Sequence, residues 1–215
     1  FPAPRVIEGL FSVVERLYGV RFEEDEQVAC YHPDVRYFQI TENGTPIAGF
    51  YLDLYAREGK RGGAWMADCR VRRQTPDGLQ LPVAFLTCNF TPPVGDKPAL
   101  LTHDEVTTLF HEFGHGLHHM LTRQTIADIS GINGVAWDAV ELPSQLMENY
   151  CWEREGLDLL AAHIDTDEPL PGELLERLQA AKNFQSAMGM VRQLEFSLFD
   201  LRLHHQASAP DASHI

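Results

Sequence analysis

The chain has 215 residues, of which 44% are hydrophobic, and a formal net charge of −14 at pH 7. This length and composition favour one domain with a real hydrophobic core, whereas the acidity argues against nucleic-acid binding, which needs basic patches. No apolar run reaches the roughly 18 residues that a membrane span needs, and no signal peptide is visible, so no membrane partner is expected.

The first part of the chain predicts one helix followed by a β-rich region over about residues 20–100. An apolar stripe with helical spacing predicts a helix over residues 5–18. Four strands should follow, the first two joined by an Asn-Gly hairpin signal. We expect these strands at Val35–Thr41, Ile47–Tyr55, Ala64–Val71 and Leu81–Phe90.

The second part, about residues 101–206, predicts helices. Thr102 and Glu105 have the form of a capping box, which starts a helix. A flexible connection at Ser130–Gly134 should lead to a second helix over Val140–Trp152, with Pro143 near its start, where proline is tolerated. A last long helical stretch is expected from Pro169 through His205.

A small sheet followed by helices indicates an α+β fold that is predominantly α. We expect a single domain over residues 1–215 with a frayed tail at 207–215. The cysteines form no C-x-x-C pair, which indicates reduced, mostly buried thiols of a cytoplasmic protein. These cysteines are Cys30, Cys69, Cys88 and Cys151.

The most informative motif is His111-Glu112-Phe113-Gly114-His115, which has the form H-E-x-x-H within the first of these helices. Residues four apart on a helix share a face, about 6 Å apart along the axis, so two imidazoles can converge on one zinc ion. Glu112 is rotated about 100° from His111, where it can accept a proton from water at the metal. This pattern predicts a zinc site with a general base.

The position of the motif favours a metal site over a solvated polar face. His111, His115 and His118 fall opposite an apolar stripe that includes Phe113. Each glycine inside a helix costs about 1 kcal/mol relative to alanine, so Gly114 and Gly116 indicate that something packs very close to this helix. His118 lies about 10 Å along the axis from His111 and is predicted to be a second-shell or surface residue.

A catalytic zinc site needs a third protein ligand. The metzincin pattern would place this ligand at Leu121, which excludes that pattern. A carboxylate from another element remains, and the candidates are Asp128, Asp138, Glu141 and Glu148. Glu141 and Glu148 are seven residues apart and share a helix face, so the nearer Glu141 would be the ligand and Glu148 would orient a histidine. A surface salt bridge is the plain alternative for Glu148.

These residues resemble the thimet oligopeptidase family of zinc metallopeptidases. The resemblance covers roughly residues 5–206 and is carried by segments that include His111–His119, Glu141–Gln145, Glu148–Tyr150, Phe50–Glu58, Lys60–Met66, Ala84–Phe90 and Arg192–Phe196. It implies a zincin-like catalytic domain that cuts short peptides rather than folded proteins. It also implies one Zn²⁺ per chain, held by His111, His115 and Glu141, with Glu112 as the catalytic base.

The resemblance also implies that this chain is a catalytic-domain fragment. Family members are longer, and a later stretch of theirs carries tyrosines thought to stabilise the oxyanion. Losing one oxyanion donor can cost about 10²–10³ in rate. The alternative to turnover is therefore a zinc-stabilised peptide-binding fragment, and a zinc hydrolase acting on something other than peptides is a third possibility.

The sheet is expected to take part in substrate binding. An extended peptide can pair with an exposed strand edge through backbone hydrogen bonds. We expect Gly63, Ala64 and Trp65 to form such an edge, an expectation that the family resemblance shares, and glycines here would permit close backbone approach. The plain alternative is an ordinary edge strand with no ligand.

Overall fold

The computed structural model describes residues 1–205, which divide into two compact units. The first unit is Phe1–Leu170 and contains the sheet together with the H-E-x-x-H helix. The second unit begins at Pro171 and is helical in the part that the structure describes. Helices cover more residues than strands, so the predicted α+β class is confirmed.

Within residues 1–205 the strands form one five-stranded mixed sheet and one two-stranded ribbon. In chain order the strands are β1 (Arg21–Glu24), β2 (Arg36–Glu42), β3 (Thr45–Tyr55), β4 (Trp65–Arg70), β5 (Arg73–Thr75), β6 (Gly78–Gln80) and β7 (Val83–Phe90). The large sheet has the order β1-β2-β3-β7-β4, in which only β3 and β7 run parallel. This order makes β4 an edge strand of the sheet.

The helices of the described residues lie before and after the strands. They are α1 (Ala3–Tyr18), α2 (His103–Met120), α3 (Leu142–Glu148), α4 (Arg154–Leu160), α5 (Gly172–Lys182) and α6 (Ser186–His205). Helix α2 begins as predicted, because the Thr102 side chain accepts a bond from the Glu105 backbone and the Glu105 carboxylate accepts one from the Thr102 backbone. Helix α1 ends at Gly19, which adopts the left-handed φ of 69° that favours glycine.

The predicted hairpin between β2 and β3 is confirmed. Asn43 and Gly44 have φ values of 50° and 76°, which matches the two positive values of a type I′ turn. The turn sets Glu42 opposite Thr45, and the register of the pair shifts by one residue at an irregularity between Ile40 and Thr41. Both central strands, β3 and β7, are mostly buried, as expected where a parallel pair is covered on its two faces.

An aromatic cluster fixes helix α2 on the sheet. Phe113 of the H-E-x-x-H motif is fully buried, and its ring lies 5.4 Å from that of Phe50 in β3 at an angle of 88°. Phe50 in turn stacks on Phe38 of β2 at 5.2 Å. Burying a phenylalanine contributes about 1.5–3 kcal/mol. The apolar stripe of α2 therefore faces the sheet, and the motif histidines face away from it.

Several elements differ from the prediction. Strands β1, β5 and β6 and helix α4 were not predicted, because each is too short to show a clear periodicity. The expected helix over Val140–Trp152 is confirmed only for α3, which is followed by a 3₁₀ turn at Asn149–Cys151. The last helical stretch expected up to His205 consists of two helices, α5 and α6, because Gln185 has a φ of 53°, which a helix cannot accommodate, and α5 ends before it.

The remaining expectations concern the surface and the chain end. The cysteines are all free thiols, but only Cys88 and Cys151 are buried, so the expectation of mostly buried thiols was wrong for Cys30 and Cys69. None of the helices in residues 1–205 combines the length and the apolar character that crossing a membrane requires. The tail predicted at 207–215 lies outside the described residues.

Candidate metal centre

Helix α2 supplies two histidines to one point on its outer face. His111 and His115 are four residues apart, and their rings lie 5.0 Å from each other at an angle of 81°. Both side chains are partly buried, and the carboxylate of Glu141 lies beside both of their Nε2 atoms. Because residues four apart share one face of a helix, the two histidines present nitrogen donors to the same position.

Glu141 brings a carboxylate to these histidines from the residue that precedes α3. Its Oε2 atom lies 3.2 Å from His111 Nε2 and 3.1 Å from His115 Nε2. One donor atom from each of the three residues lies within 4.8 Å of the others, and no other such group of histidines, cysteines or acids occurs in residues 1–205. Of the four carboxylates considered from the sequence, the structure brings only Glu141 into this group.

Ser144 holds the Glu141 side chain in place. Its hydroxyl lies 2.8 Å from Glu141 Oε2, and 2.9 Å from the Glu141 backbone carbonyl. The hydrogen bond from Ser144 is the main reason why the pKa of Glu141 lies below its usual range. Sequence reasoning gave Ser144 no role, although its position three residues after Glu141 on a helix was a usable signal.

Close packing of α2 against α3 makes this arrangement possible. A Cβ atom at Gly114 would lie 2.5 Å from the backbone oxygen of Pro143, and one at Gly116 would lie 3.0 Å from a methyl group of Leu86. Only a residue without a side chain allows the backbones of the two helices to approach this closely at Gly114. The expectation that something packs tightly against both glycines is confirmed.

Glu148 pairs with one of the two histidines. Its Oε1 atom lies 2.6 Å from His111 Nδ1, which leaves His111 Nε2 directed at Glu141. In the neutral imidazole the nitrogen that donates to Glu148 carries the proton, so Nε2 presents a lone pair. Carboxylate–histidine pairs of this kind are typical of metal sites, where they fix the tautomer of the ligand.

Glu112 lies between the histidines and the edge of the sheet. It is a buried carboxylate, with only 8% of its surface exposed. Burial raises the pKa of Glu112, and a hydrogen bond with the backbone of Met66 and the nearby His111 oppose this rise. The bond to Met66 places the carboxylate beside β4, so the Glu112 carboxylate and a strand edge lie next to each other.

The predicted strand edge is present in the fold. Trp65 is the first residue of β4, which pairs only with β7 in the large sheet. Gly63 and Ala64 directly precede it, and Gly63 has a positive φ of 95°. The guanidinium of Arg61 lies 5.6 Å from the centre of the Trp65 ring. The participation of these residues in substrate binding stays a prediction.

His118 lies outside the group formed by His111, His115 and Glu141. It lines a cavity of about 280 Å³ together with Leu121 and Met147. Burial lowers the pKa of His118, and its Nδ1 atom is buried without a hydrogen-bond partner among the described residues. Its predicted second-shell or surface role remains a prediction.

The donor set fits a zinc ion. Two imidazole nitrogens and one carboxylate oxygen are ligands that zinc accepts in catalytic sites. Burial lowers the pKa of His115, which favours the neutral form that a metal requires. His111 Nε2 and Glu141 Oε2 lie 3.2 Å apart, so a cation placed beside them would contact both.

Comparison with known proteins supports the resemblance noted in the sequence. The chain matches the model of peptidase family M3 over residues 1–214. It is 61% identical to oligopeptidase A of Escherichia coli over 95% of the chain and 30% of that protein. It is 57% identical to oligopeptidase A of Haemophilus influenzae, and 47% identical to an organellar oligopeptidase A of Arabidopsis thaliana.

The aligned regions cover nearly all of this chain but only part of each relative. The two aligned regions take in 100% and 95% of the chain but only 32% and 27% of the Haemophilus and Arabidopsis proteins. The chain therefore spans about a third of the length of the curated relatives it matches. The match nevertheless extends over nearly the whole chain and includes the segments that carry His111, His115 and Glu141. The chain belongs to peptidase family M3.

Proposed function

We propose that this chain carries the catalytic centre of a zinc-dependent metalloendopeptidase that hydrolyses peptide bonds in short oligopeptides. The observation that carries the proposal is the convergence of His111, His115 and Glu141 beside the buried carboxylate of Glu112. The names of the relatives support a peptidase that acts on oligopeptides. The domain would be zincin-like, with the H-E-x-x-H motif on α2.

Three residues would hold one zinc ion per chain. His111 and His115 offer Nε2 atoms, and Glu141 offers the oxygen that lies close to both. When bound, zinc would lower the pKa of a coordinated water and polarise a substrate carbonyl. Glu148 would keep the His111 ring in the orientation that presents Nε2.

Glu112 would move the proton during the reaction. Its carboxylate accepts a proton from the water that attacks the scissile carbonyl carbon, and later delivers that proton to the leaving amine as the C–N bond breaks. Its raised pKa, caused first by burial, brings the carboxyl closer to the range in which both transfers are efficient. The hydrogen bond with Met66 keeps this carboxylate beside the edge strand.

The substrate would bind as an extended peptide along β4. Gly63, Ala64 and Trp65 lie where an added strand would begin to pair, and Met66 connects this edge to Glu112. Backbone hydrogen bonds at a strand edge favour extended chains, and a folded protein seldom offers such a chain. A cytoplasmic location also remains a proposal, supported by the four free cysteines.

Cleavage of a short quenched fluorescent peptide by the purified chain would test this function. Cleavage should stop with a chelator and return with zinc. Glu112→Gln should keep about one zinc per chain while turnover falls by about 10²–10⁴-fold, and Glu141→Ala should lose both. If Glu141→Ala bound zinc as tightly as the wild type, the proposed ligand set would be wrong.

A second outcome of the same experiment has its own meaning. A chain that binds zinc and peptide but shows no cleavage would be the peptide-binding fragment without turnover. The share of its relatives that the chain spans, about a third, makes this control necessary. Peptide affinity measured with zinc and with chelator would then establish whether the metal centre contributes to binding at all.

A further inference from the structure

The segment that leads into β4 has no helix or strand of its own. It covers residues 56–64 and joins β3 to the edge strand. Backbone groups in such a connection need partners from side chains or water, since no ladder satisfies them. The structure shows which side chains supply these partners, and they come from the two strands at the centre of the sheet.

Asn89 of β7 anchors the end of this segment. Its Nδ2 atom donates to the backbone oxygens of Gly63 at 2.6 Å and Arg61 at 2.8 Å. A carboxamide nitrogen has two hydrogens, so this contact uses its full donor capacity. One side chain therefore holds two backbone carbonyl groups of the segment.

The register of the sheet explains why Asn89 reaches this position. Strand β4 pairs antiparallel with β7, and the last backbone pair joins Trp65 to Thr87. Continuing the same register by two residues would set Gly63 opposite Asn89. Gly63 has a positive φ of 95°, which ends the extended conformation, and the Asn89 side chain then replaces the backbone pairing.

Asp53 of β3 anchors the beginning of the segment. Its side chain is almost fully buried and lies 2.8 Å from Lys60 Nζ, which is also buried. Lys60 also donates to the backbone oxygens of Asp53 and Tyr55. Arg57 adds two hydrogen bonds to the same carboxylate, at 2.7 and 2.9 Å. The segment is thus attached to β3 at one end and to β7 at the other.

We infer that Asn89 is a positioning residue that holds Gly63–Met66 in the conformation needed to pair with an extended peptide beside Glu112. The inference rests on the proposed function, because it concerns the strand edge where the substrate would bind. Asn89 acts on the backbone of the chain itself, and Met66 transmits its effect to the Glu112 carboxylate.

Hydrogen exchange and peptide binding together test this inference. In the zinc-loaded chain, Asn89→Ala should speed exchange of the amides in residues 61–66 by about tenfold, because the anchoring bonds of the segment are lost. Asn89→Asp is similar in size but offers only acceptors to the two carbonyl oxygens, so its effect should be larger. Amides of α2 and the zinc content should not change.

Gln80→Ala is the matched control for the carboxamide. Gln80 also donates from its side chain to a backbone oxygen, that of Val71, beyond the other end of β4. Its loss should leave exchange in residues 61–66 unchanged. The probe for binding is a fluorescent extended peptide, titrated in a Glu112→Gln background so that it is not cut.

Each outcome decides the inference. Faster exchange together with about tenfold weaker peptide binding in the Asn89 variants, at unchanged zinc content, supports it. Unchanged exchange overturns the anchor, whether or not the chain binds peptide. Faster exchange with unchanged peptide affinity overturns the positioning role. A wild-type chain that binds zinc but no peptide would overturn both this inference and the proposed function, and that failure is visible before any Asn89 variant is made.

Discussion

Gly114 lies so close to Pro143 that a Cβ atom on the glycine would stand 2.5 Å from the proline carbonyl oxygen. The atoms in the way belong to the backbone and cannot rotate aside as the end of a side chain could. This contact sets the distance between α2, which carries two candidate ligands, and α3, at whose start the third candidate lies. The absence of a side chain at Gly114 therefore allows α2 and the start of α3 to lie this close together.

Gly114→Ala should destabilise the chain and weaken its zinc site. Overpacking of this kind typically costs about 1–3 kcal/mol, and here the strain would separate Glu141 from the histidines. Chemical unfolding and zinc titration against a competing chelator would measure the two effects. Gly116→Ala is the control on the same helix, since its nearest neighbours are movable side-chain atoms of Leu86 and Met120. Equal zinc affinity in both variants would contradict the prediction.

Glu148→Ala should weaken zinc binding by about 10–100-fold, the range found when a carboxylate that orients a metal-binding histidine is removed. The reason is that His111 would lose the partner 2.6 Å from its Nδ1 atom and with it the preferred ring orientation. Glu148→Gln keeps an acceptor at this position and should lose less. Zinc affinity that is the same in Glu148→Ala as in the wild type would assign Glu148 to a surface salt bridge.

Asp53→Asn should destabilise the chain by about 3–5 kcal/mol at pH 7, because Lys60 would remain buried without its counter-ion. Denaturant titration would measure this loss. Glu24→Gln is the control, since Glu24 pairs with Arg36 at the surface, where an ion pair contributes about 0–1 kcal/mol. A loss as small as that of the control would contradict the prediction.

The same variant should change the pH dependence of stability. Burial alone would raise the pKa of Asp53, but hydrogen bonds from Arg57, Lys60 and Tyr31 outweigh it and lower the pKa. A carboxyl with a lowered pKa stabilises the folded chain above its unfolded pKa of about 3.9, and this stabilisation is lost as the pH falls through the folded value. The difference in unfolding free energy between wild type and Asp53→Asn should therefore stay constant from pH 7 to about pH 5 and shrink below about pH 4.

Ala64→Pro should weaken peptide binding while the chain stays folded. Proline removes the backbone N–H that an added strand could use and fixes φ near −65°. The measurement is peptide affinity of the zinc-loaded chain, accompanied by the unfolding midpoint. Ala64→Gly keeps the N–H and serves as the control. Unchanged affinity in a folded Ala64→Pro variant would reject the edge of β4 as the peptide site.

The sequence predicted those parts of the fold that depend on neighbouring residues. The capping box at Thr102 and the turn at Asn43-Gly44 are local, and both are present in the structure. The spacing of His111 and His115 needs only a helix. Glu141 and Glu148 share one face of the second predicted helix, so Glu141 was predicted as the ligand because it is the nearer of the two, and the resemblance to the thimet oligopeptidase family implied the same ligand.

The features that were missed depend on contacts between residues far apart in the chain. Asn89 contacts Gly63 and Arg61 only because β4 pairs with β7 in one register. The short strands β5 and β6 have too few residues to show a period. The break at Gln185 depends on a positive φ, which the residue type glutamine does not predict. The exposure of Cys30 and Cys69 likewise follows from tertiary packing, which residue type alone does not determine.

The connection between α2 and α3 has a thermodynamic consequence. His115 lies in α2 and Glu141 directly precedes α3, and the connection between these two helices contains one 3₁₀ turn, at Ala127–Ile129. A metal ion held by both would bind the folded chain, in which these ligands converge, whereas the unfolded chain would have to close this loop at a cost in conformational entropy to bind it. Zinc would then stabilise the fold by an amount that rises with the logarithm of its free concentration above the dissociation constant, so the unfolding temperature would rise with free zinc concentration.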